Sequence, residues 1–333
     1  MKKNGKVAGK VIVVTGGSAG VGRATALAFA KQGATVALLA RGVECLQSAA
    51  QEIEAMGEKA LIIPIDVADP EQVEFAAARI EKELGPIAVW VNNAMVTVFS
   101  KAVDMTAEEY RRVTEVSYLG TVYGTLAALK YMRLRNCGTI IQVGSALAYR
   151  GIPIQSAYCA AKFAVRGFTD SLRAELMYEK SAIQLTMVQL SAFNTPQFDW
   201  ARHRINAKPM PLPPIFQPEL AADVILWCAS HKRREVYVGF PALKTIVGNK
   251  LFPGLADRMA CDQAISGQKD ENAAPEASRE GNLFAPVAGD FGAHGRFDHL
   301  AKNHSLQLFI TLHRKSLLLM LAVLVVIILV VIW

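Results

Sequence analysis

Cysteine is scarce in this chain and forms no pattern. The five thiols are dispersed, with no C-x-x-C pair, which gives no basis for a disulfide framework and suits a reducing compartment. The six histidines are equally scattered, and His294, His299 and His304 fall in or after a polar stretch. No ligand cluster with metal spacing exists, so no metal is expected. No internal repeat is present. The charge balance is +7, yet no aromatic-studded basic patch accompanies it, so nucleic acid is not an expected partner; an anionic lipid surface is the simpler one. A signal peptide is also missing: Val11–Val14 follows MKKNGK but is too short and is interrupted by Lys10.

What is there begins with Tyr158 and Lys162, in SAYCAAKFAV. Four residues apart on a helical pattern, they leave one face a turn apart. A phenol trades protons poorly near neutral pH because its ordinary pKa is ~10, and a neighbouring ammonium favours the phenolate. Alone, the same spacing also describes a surface pair. At the amino end, VIVV at Val11–Val14 runs into Thr15-Gly16-Gly17-Ser18-Ala19-Gly20-Val21-Gly22 and then a helical pattern over Arg23–Lys31. Strand, glycine turn and helix form the context in which backbone amides meet phosphates.

Apolar strands at Val36–Leu39, Leu61–Ile65, Ile87–Val91, Thr139–Val143 and Gln184–Leu190 alternate with helical patterns at Val43–Met56, Pro70–Leu84, Ala107–Leu134 and Ser156–Tyr178. Such alternation predicts an α/β fold, a Rossmann-like doubly wound parallel sheet with helices on both faces. Right-handed crossovers then bring every strand's carboxyl end to one edge, where a crevice forms.

Over residues 7–240 the chain resembles the short-chain dehydrogenase/reductase family. The match is T-G-x-x-x-G-x-G at Thr15–Gly22, Asp66-Val67 after the third strand, Asn92-Asn93-Ala94 after the fourth, Ser145 after the fifth, and Tyr158-x-x-x-Lys162. The resemblance implies an oxidoreductase that moves a hydride between a nicotinamide and a carbonyl or secondary alcohol. It implies Tyr158 as general acid and base, Lys162 as the group that lowers its pKa and holds the nicotinamide ribose, and Ser145 as hydrogen-bond partner of the substrate oxygen. Cofactor contacts are implied at Gly16, Ser18, Gly20, Val21, Gly22, Asp66, Val67, Asn93 and Thr195, besides Tyr158 and Lys162. Three positions depart from the family pattern: Ser117 replaces the relay asparagine, Met95 the glycine after Asn-Asn-Ala, and Leu190-Ser191 the usual Pro-Gly. Ser117 is kept as a catalytic candidate that would act through a bridging water. A non-catalytic NADP(H)-binding scaffold or sensor is the alternative reading.

Leu39-Ala40-Arg41-Gly42, at the end of the second strand, carries no carboxylate for a ribose 2′-hydroxyl. Arg41 can instead fork onto a 2′-phosphate, so NADP(H) is the expected cofactor. After Thr195 the expected lid holds Phe198, Trp200, Ile205, Met210, Ile215 and Phe216. These side chains would either admit a lipophilic substrate or hold the lid on the core.

Beyond residue 240 three regions are expected: an amphipathic extension at 241–261, a flexible linker at 262–304, and a basic flank with a membrane span at 305–333. The linker is read from polar composition without apolar periodicity. Leu317–Trp333 has no charged or polar side chain, and as helix would extend ~26 Å, close to a ~30 Å hydrocarbon core. His313-Arg314-Lys315 on its amino side would keep the catalytic domain in the cytoplasm, on a single-pass carboxyl-terminal anchor. A homodimer is compatible with this reading.

Overall fold

The computed structural model describes residues 6–314, 316, 317, 319 and 320. Seven parallel strands form one sheet: β1 (Val11–Thr15), β2 (Thr35–Ala40), β3 (Ala60–Pro64), β4 (Ile87–Asn92), β5 (Thr139–Ser145), β6 (Gln184–Leu190) and β7 (Glu235–Val238). Their spatial order is 3-2-1-4-5-6-7, so the chain reverses direction of travel between β1 and β4. A doubly wound sheet opens its crevice at that switch point. Successive strand residues feed opposite cores. Val11, Val13 and Trp90 face α3 (Pro70–Glu83), α5 (Gly120–Arg135) and α6 (Ser156–Tyr178). Ile12, Val14 and Val91 face α1 (Gly20–Lys31), α2 (Val43–Ala55) and α7 (Pro218–Cys228). Both faces are covered, which is why the strands read as continuous apolar runs.

The expected strands and helices stand where the residue pattern puts them, within a few residues at the ends. Pro70 at the first turn of α3, with Asp69 accepting from the Glu71 and Gln72 amides, shows why that helix starts there. One helix differs. The pattern over Ala107–Leu134 divides into α4 (Ala107–Thr114), a π-helical turn at Glu115–Leu119, and α5.

The region after residue 240 departs further from expectation. The extension forms two helices, α8 (Phe240–Leu251) and α9 (Pro253–Gln263). Residues 262–304 are not a free linker but lie along the catalytic domain. Leu283 is 0% exposed and Phe297 2%, and Lys269–Asp270 pairs antiparallel with Lys208–Pro209. Composition misled here because the charges have partners: Arg296 holds Asp199 and Asp270, and Asp298 takes hydrogen bonds from Asn194 and Gln217. The supposed basic flank also docks. Residues 306–314 are helical, Leu308 is buried in the α1 and α7 core, and Gln307 donates to the Tyr237 carbonyl at 3.2 Å. Among the described residues no helix is long and apolar enough to cross a membrane. The expected span, Leu317–Trp333, lies outside them except for Leu317, Leu319 and Met320.

Candidate active site

Every family-motif residue before residue 200 except Ser117 and Asn92 meets at the carboxyl edge of the sheet. The glycine turn after β1 works through absent side chains. Gly16 and Gly20 hold φ of +64° and +56°, values that glycine adopts without penalty. A Cβ on Gly22 would collide with the Gly16 carbonyl. Thr15 then ties this turn to the end of β4: its hydroxyl accepts from the Asn93 and Ala94 amides at 2.9 and 3.1 Å. The Asn93 side-chain amide donates back to the Thr15 and Gly16 carbonyls. Asn92 turns the other way, into a buried network with Trp90, Thr125 and Gln142.

Tyr158 and Lys162 rise from the first turns of α6 against the end of β5. The Tyr158 phenol is hydrogen-bonded to the Ser145 hydroxyl, which also accepts from the Leu147 amide at 3.1 Å. Burial pushes the phenol's pKa well above its ordinary value, and the Ser145 bond draws it only partway back. Lys162 is 3% exposed, and burial lowers its ammonium to about 8. Its Nζ sits 5.5 Å from the Tyr158 ring centroid and donates to the Val143 carbonyl at 2.8 Å. Burial, not the lysine, therefore sets the phenol's pKa in this state, and Tyr158 holds its proton near neutral pH.

Ser117 is not brought to this pair. It lies in the π-helical turn, fully buried, accepting from the Val96 amide at 3.0 Å and donating to the Val96 carbonyl at 2.9 Å. Its one proton is committed to the Val96 carbonyl, so it has none to pass toward Lys162. Its position anchors the loop after β4 and corrects the relay expectation.

One cleft of about 1480 Å³ joins these groups. Gly16, Ser18, Gly20, Val21, Arg41, Asp66, Val67, Asn93 and Thr195 line one arm, Ser145, Tyr158 and Lys162 its centre. Met95, Leu190 and Ser191, the departures from the family pattern, also face it. Beyond the centre the cleft continues between α8, α9 and the 306–314 helix, where Phe240, Phe252, Leu255, Met259, Leu306 and Ile310 line it. The expected lid divides its work: Phe198, Ile205, Met210 and Ile215 pack in a small core with Phe297 and Phe216 joins the α1 and α7 core, while Trp200, with one side of Phe198, Met210 and Phe216, lines the cleft.

Residues 10–205 match the family model described as short chain dehydrogenase. The chain belongs to the short-chain dehydrogenase family. Among its relatives is YxnA of Bacillus subtilis, an uncharacterized oxidoreductase that is 37% identical over 256 residues, 76% of this chain and 72% of YxnA. A zebrafish (Danio rerio) 3-dehydrosphinganine reductase is 34% identical over 198 residues, 58% of this chain and 59% of its own. A metagenomic short-chain oxidoreductase solved in complex with NADP superimposes with a TM-score of 0.59 at 26% identity, covering 70% of this chain and 97% of that one. The family places this protein among the oxidoreductases acting on small molecules.

Two features of the site carry no sequence signal. Arg112 of α4 pairs with Asp66, although nothing in its helical surroundings distinguishes it. Asn282 and Leu283, from the segment read as linker, accept from Arg41.

Proposed function

We propose that this protein is an NADP(H)-dependent oxidoreductase that interconverts a lipophilic carbonyl compound and its secondary alcohol beside a membrane. The observation that carries this reading is the single cleft running from Arg41, past Tyr158, into an apolar chamber. At about 1480 Å³ it exceeds the ~300–1,000 Å³ of an ordinary ligand pocket, which leaves room for coenzyme and substrate together.

The residues fit a dinucleotide. The glycine turn has no Cβ where phosphates approach, and β2 ends in Arg41 rather than a carboxylate. Burial, and after it the neighbouring Arg112, lower the Arg41 pKa, so an anion such as a 2′-phosphate is favoured beside it. The NADP complex of the metagenomic relative supports the same choice. When bound, the nicotinamide supplies or accepts the hydride. Tyr158, held protonated by burial, gives its proton to the substrate oxygen during reduction and takes it back during oxidation. Ser145 donates a hydrogen bond to that oxygen, and Lys162 is placed to hold the ribose hydroxyls.

The chamber supports the substrate class. Phe240, Phe252, Leu255 and Met259 line it and remain exposed at its mouth, and the dehydrosphinganine reductase among the relatives is named for a long-chain ketone. Attachment through Leu317–Trp333 would set this mouth beside the lipid, with the catalytic domain in the cytoplasm. Purified protein assayed with NADPH and NADH against carbonyl compounds graded by chain length tests the proposal. Turnover should favour NADPH and rise with chain length. Preference for NADH, or for short polar carbonyls, refutes it.

A further inference from the structure

Residues 282–297 cross the carboxyl edge of the sheet from the end of β2 to the loop after β6. At the first end Arg41 donates to the carbonyls of Asn282 at 2.5 Å and Leu283 at 3.2 Å. Arg112 Nε shares the Leu283 carbonyl at 3.1 Å. Midway, Arg23 pairs with Asp290, and Ser48 donates to the same carboxylate at 2.7 Å. Cys45 donates to the Gly289 carbonyl and the Gly289 amide donates to Glu44, each at 2.8 Å. The Gly20 amide then donates to the Gly292 carbonyl at 3.1 Å. At the far end Gly295 lies against the Thr195 carbonyl so closely that a Cβ would clash. Arg41, Gly20 and Thr195 are thus coenzyme positions that this segment also touches.

The segment roofs the groove without filling it. Gly16, Ser18, Arg41 and Asp66 still border open space, and Asn282, Pro286 and Val287 form part of its wall. Its hold is uneven. Leu283 and Phe297 are buried at the two ends, whereas residues 284–288 between them are all exposed. The middle is fastened by polar contacts and one aromatic contact, Phe291 edge-on to Trp200 at 4.7 Å, with no buried apolar core beneath it, which is the pattern of a locally opening unit.

We propose that residues 282–297 are a strap closed over the adenosine and phosphate half of the coenzyme groove, latched to α1 and α2 through Asp290. Coenzyme enters and leaves only while the strap is lifted between its buried ends. This rests on the NADP(H) reading above. Lifting breaks the Asp290, Gly289 and Gly292 contacts together, so strap opening, and not diffusion, sets the exchange rate.

Two variants test it by stopped-flow NADPH fluorescence. Asp290→Ala loosens the latch, and release of NADPH should accelerate at least about tenfold while single-turnover hydride transfer is unchanged. A lock tests the converse. A Cβ on Gly42 would lie 3.7 Å from Pro286 Cβ, within the ~3.5–4.5 Å that a disulfide spans. Gly42→Cys with Pro286→Cys, in a Cys45→Ser background, should close the strap when oxidised. Oxidation over bound NADPH should slow its release at least about tenfold, and reductant should restore it. Equal release from oxidised and reduced protein overturns the strap. A bond that forms only when NADPH is absent also overturns it, because the segment then occupies the coenzyme's own place. Reduced protein that binds neither NADPH nor NADH sinks the coenzyme reading and the strap with it; binding that ignores the latch sinks the strap alone.

Discussion

Lys162 gives the sharpest physical test of the site. Its ammonium is 3% exposed and donates to one carbonyl, that of Val143, and burial lowers its pKa from 10.5 to about 8. Below pH 8 the lysine is charged in both folded and unfolded chains, and the folded state bears the cost of holding an ammonium out of water. Between pH 8 and 10.5 the folded protein has released a proton that the unfolded chain still binds. Stability therefore rises with pH across that window. At ~1.4 kcal/mol per unit of separation, the gain between pH 8 and pH 10 is about 2 kcal/mol. Other lysines, and Tyr158, titrate in the same range, so the quantity to measure is a difference. Urea unfolding of coenzyme-free wild type and Lys162→Met should be followed side by side from pH 7.5 to 10. Wild type should gain about 2 kcal/mol on the variant over that range. A difference independent of pH refutes the argument, since the ammonium would then be as well solvated folded as unfolded.

Replacing Tyr158 with Phe should cut turnover more than about a hundredfold, the usual scale of a general acid, with NADPH binding kept when followed by fluorescence titration. Arg41→Ala should weaken NADPH by about 1.5–3 kcal/mol, the range for a charge-assisted hydrogen bond, and leave NADH nearly unchanged; equal losses would place Arg41 outside the phosphate site. Deleting residues 315–333 should release a folded enzyme with normal turnover of small water-soluble carbonyls and reduced turnover of vesicle-dissolved ones. Deleting 305–333 removes buried Leu308 as well, and should lower the urea midpoint where the shorter truncation does not.

The parts of the site visible in the residues are those whose chemistry is local. Gly16, Gly20 and Gly22 announce themselves because a turn that must present amides to a phosphate has no room for Cβ atoms. Tyr158 and Lys162 do so because helical spacing alone puts them on one face. Arg41 stands at a strand end that the alternation of apolar runs already locates. Ser117 shows where such reading fails. Position in a helix suggests a relay, but the π-helical turn at Glu115–Leu119 and the pairing with Val96 are decided by tertiary packing that no spacing encodes. Seventh strand β7 has only four residues, Glu235–Val238, with alternate burial, so it lacked the continuous apolar run that marked the others.

Residues 262–304 expose the deeper difficulty. A polar segment reads as solvated when its charges are counted, yet counting omits where their counterparts lie. Arg23 and Asp290 are separated by 267 residues, and Arg41 and Leu283 by 242. Arg41 borders the coenzyme groove at the end of β2, a place set by the needs of an anionic ligand, while Arg23, buried in the first turn of α1, is shared between Glu52 and Asp290. A crevice built to attract anions is rich in donors, and a segment rich in carbonyls and carboxylates is held beside it by some of them. The composition that resembles a linker is therefore the composition required of a segment that covers an anion site, and only the fold tells the two apart.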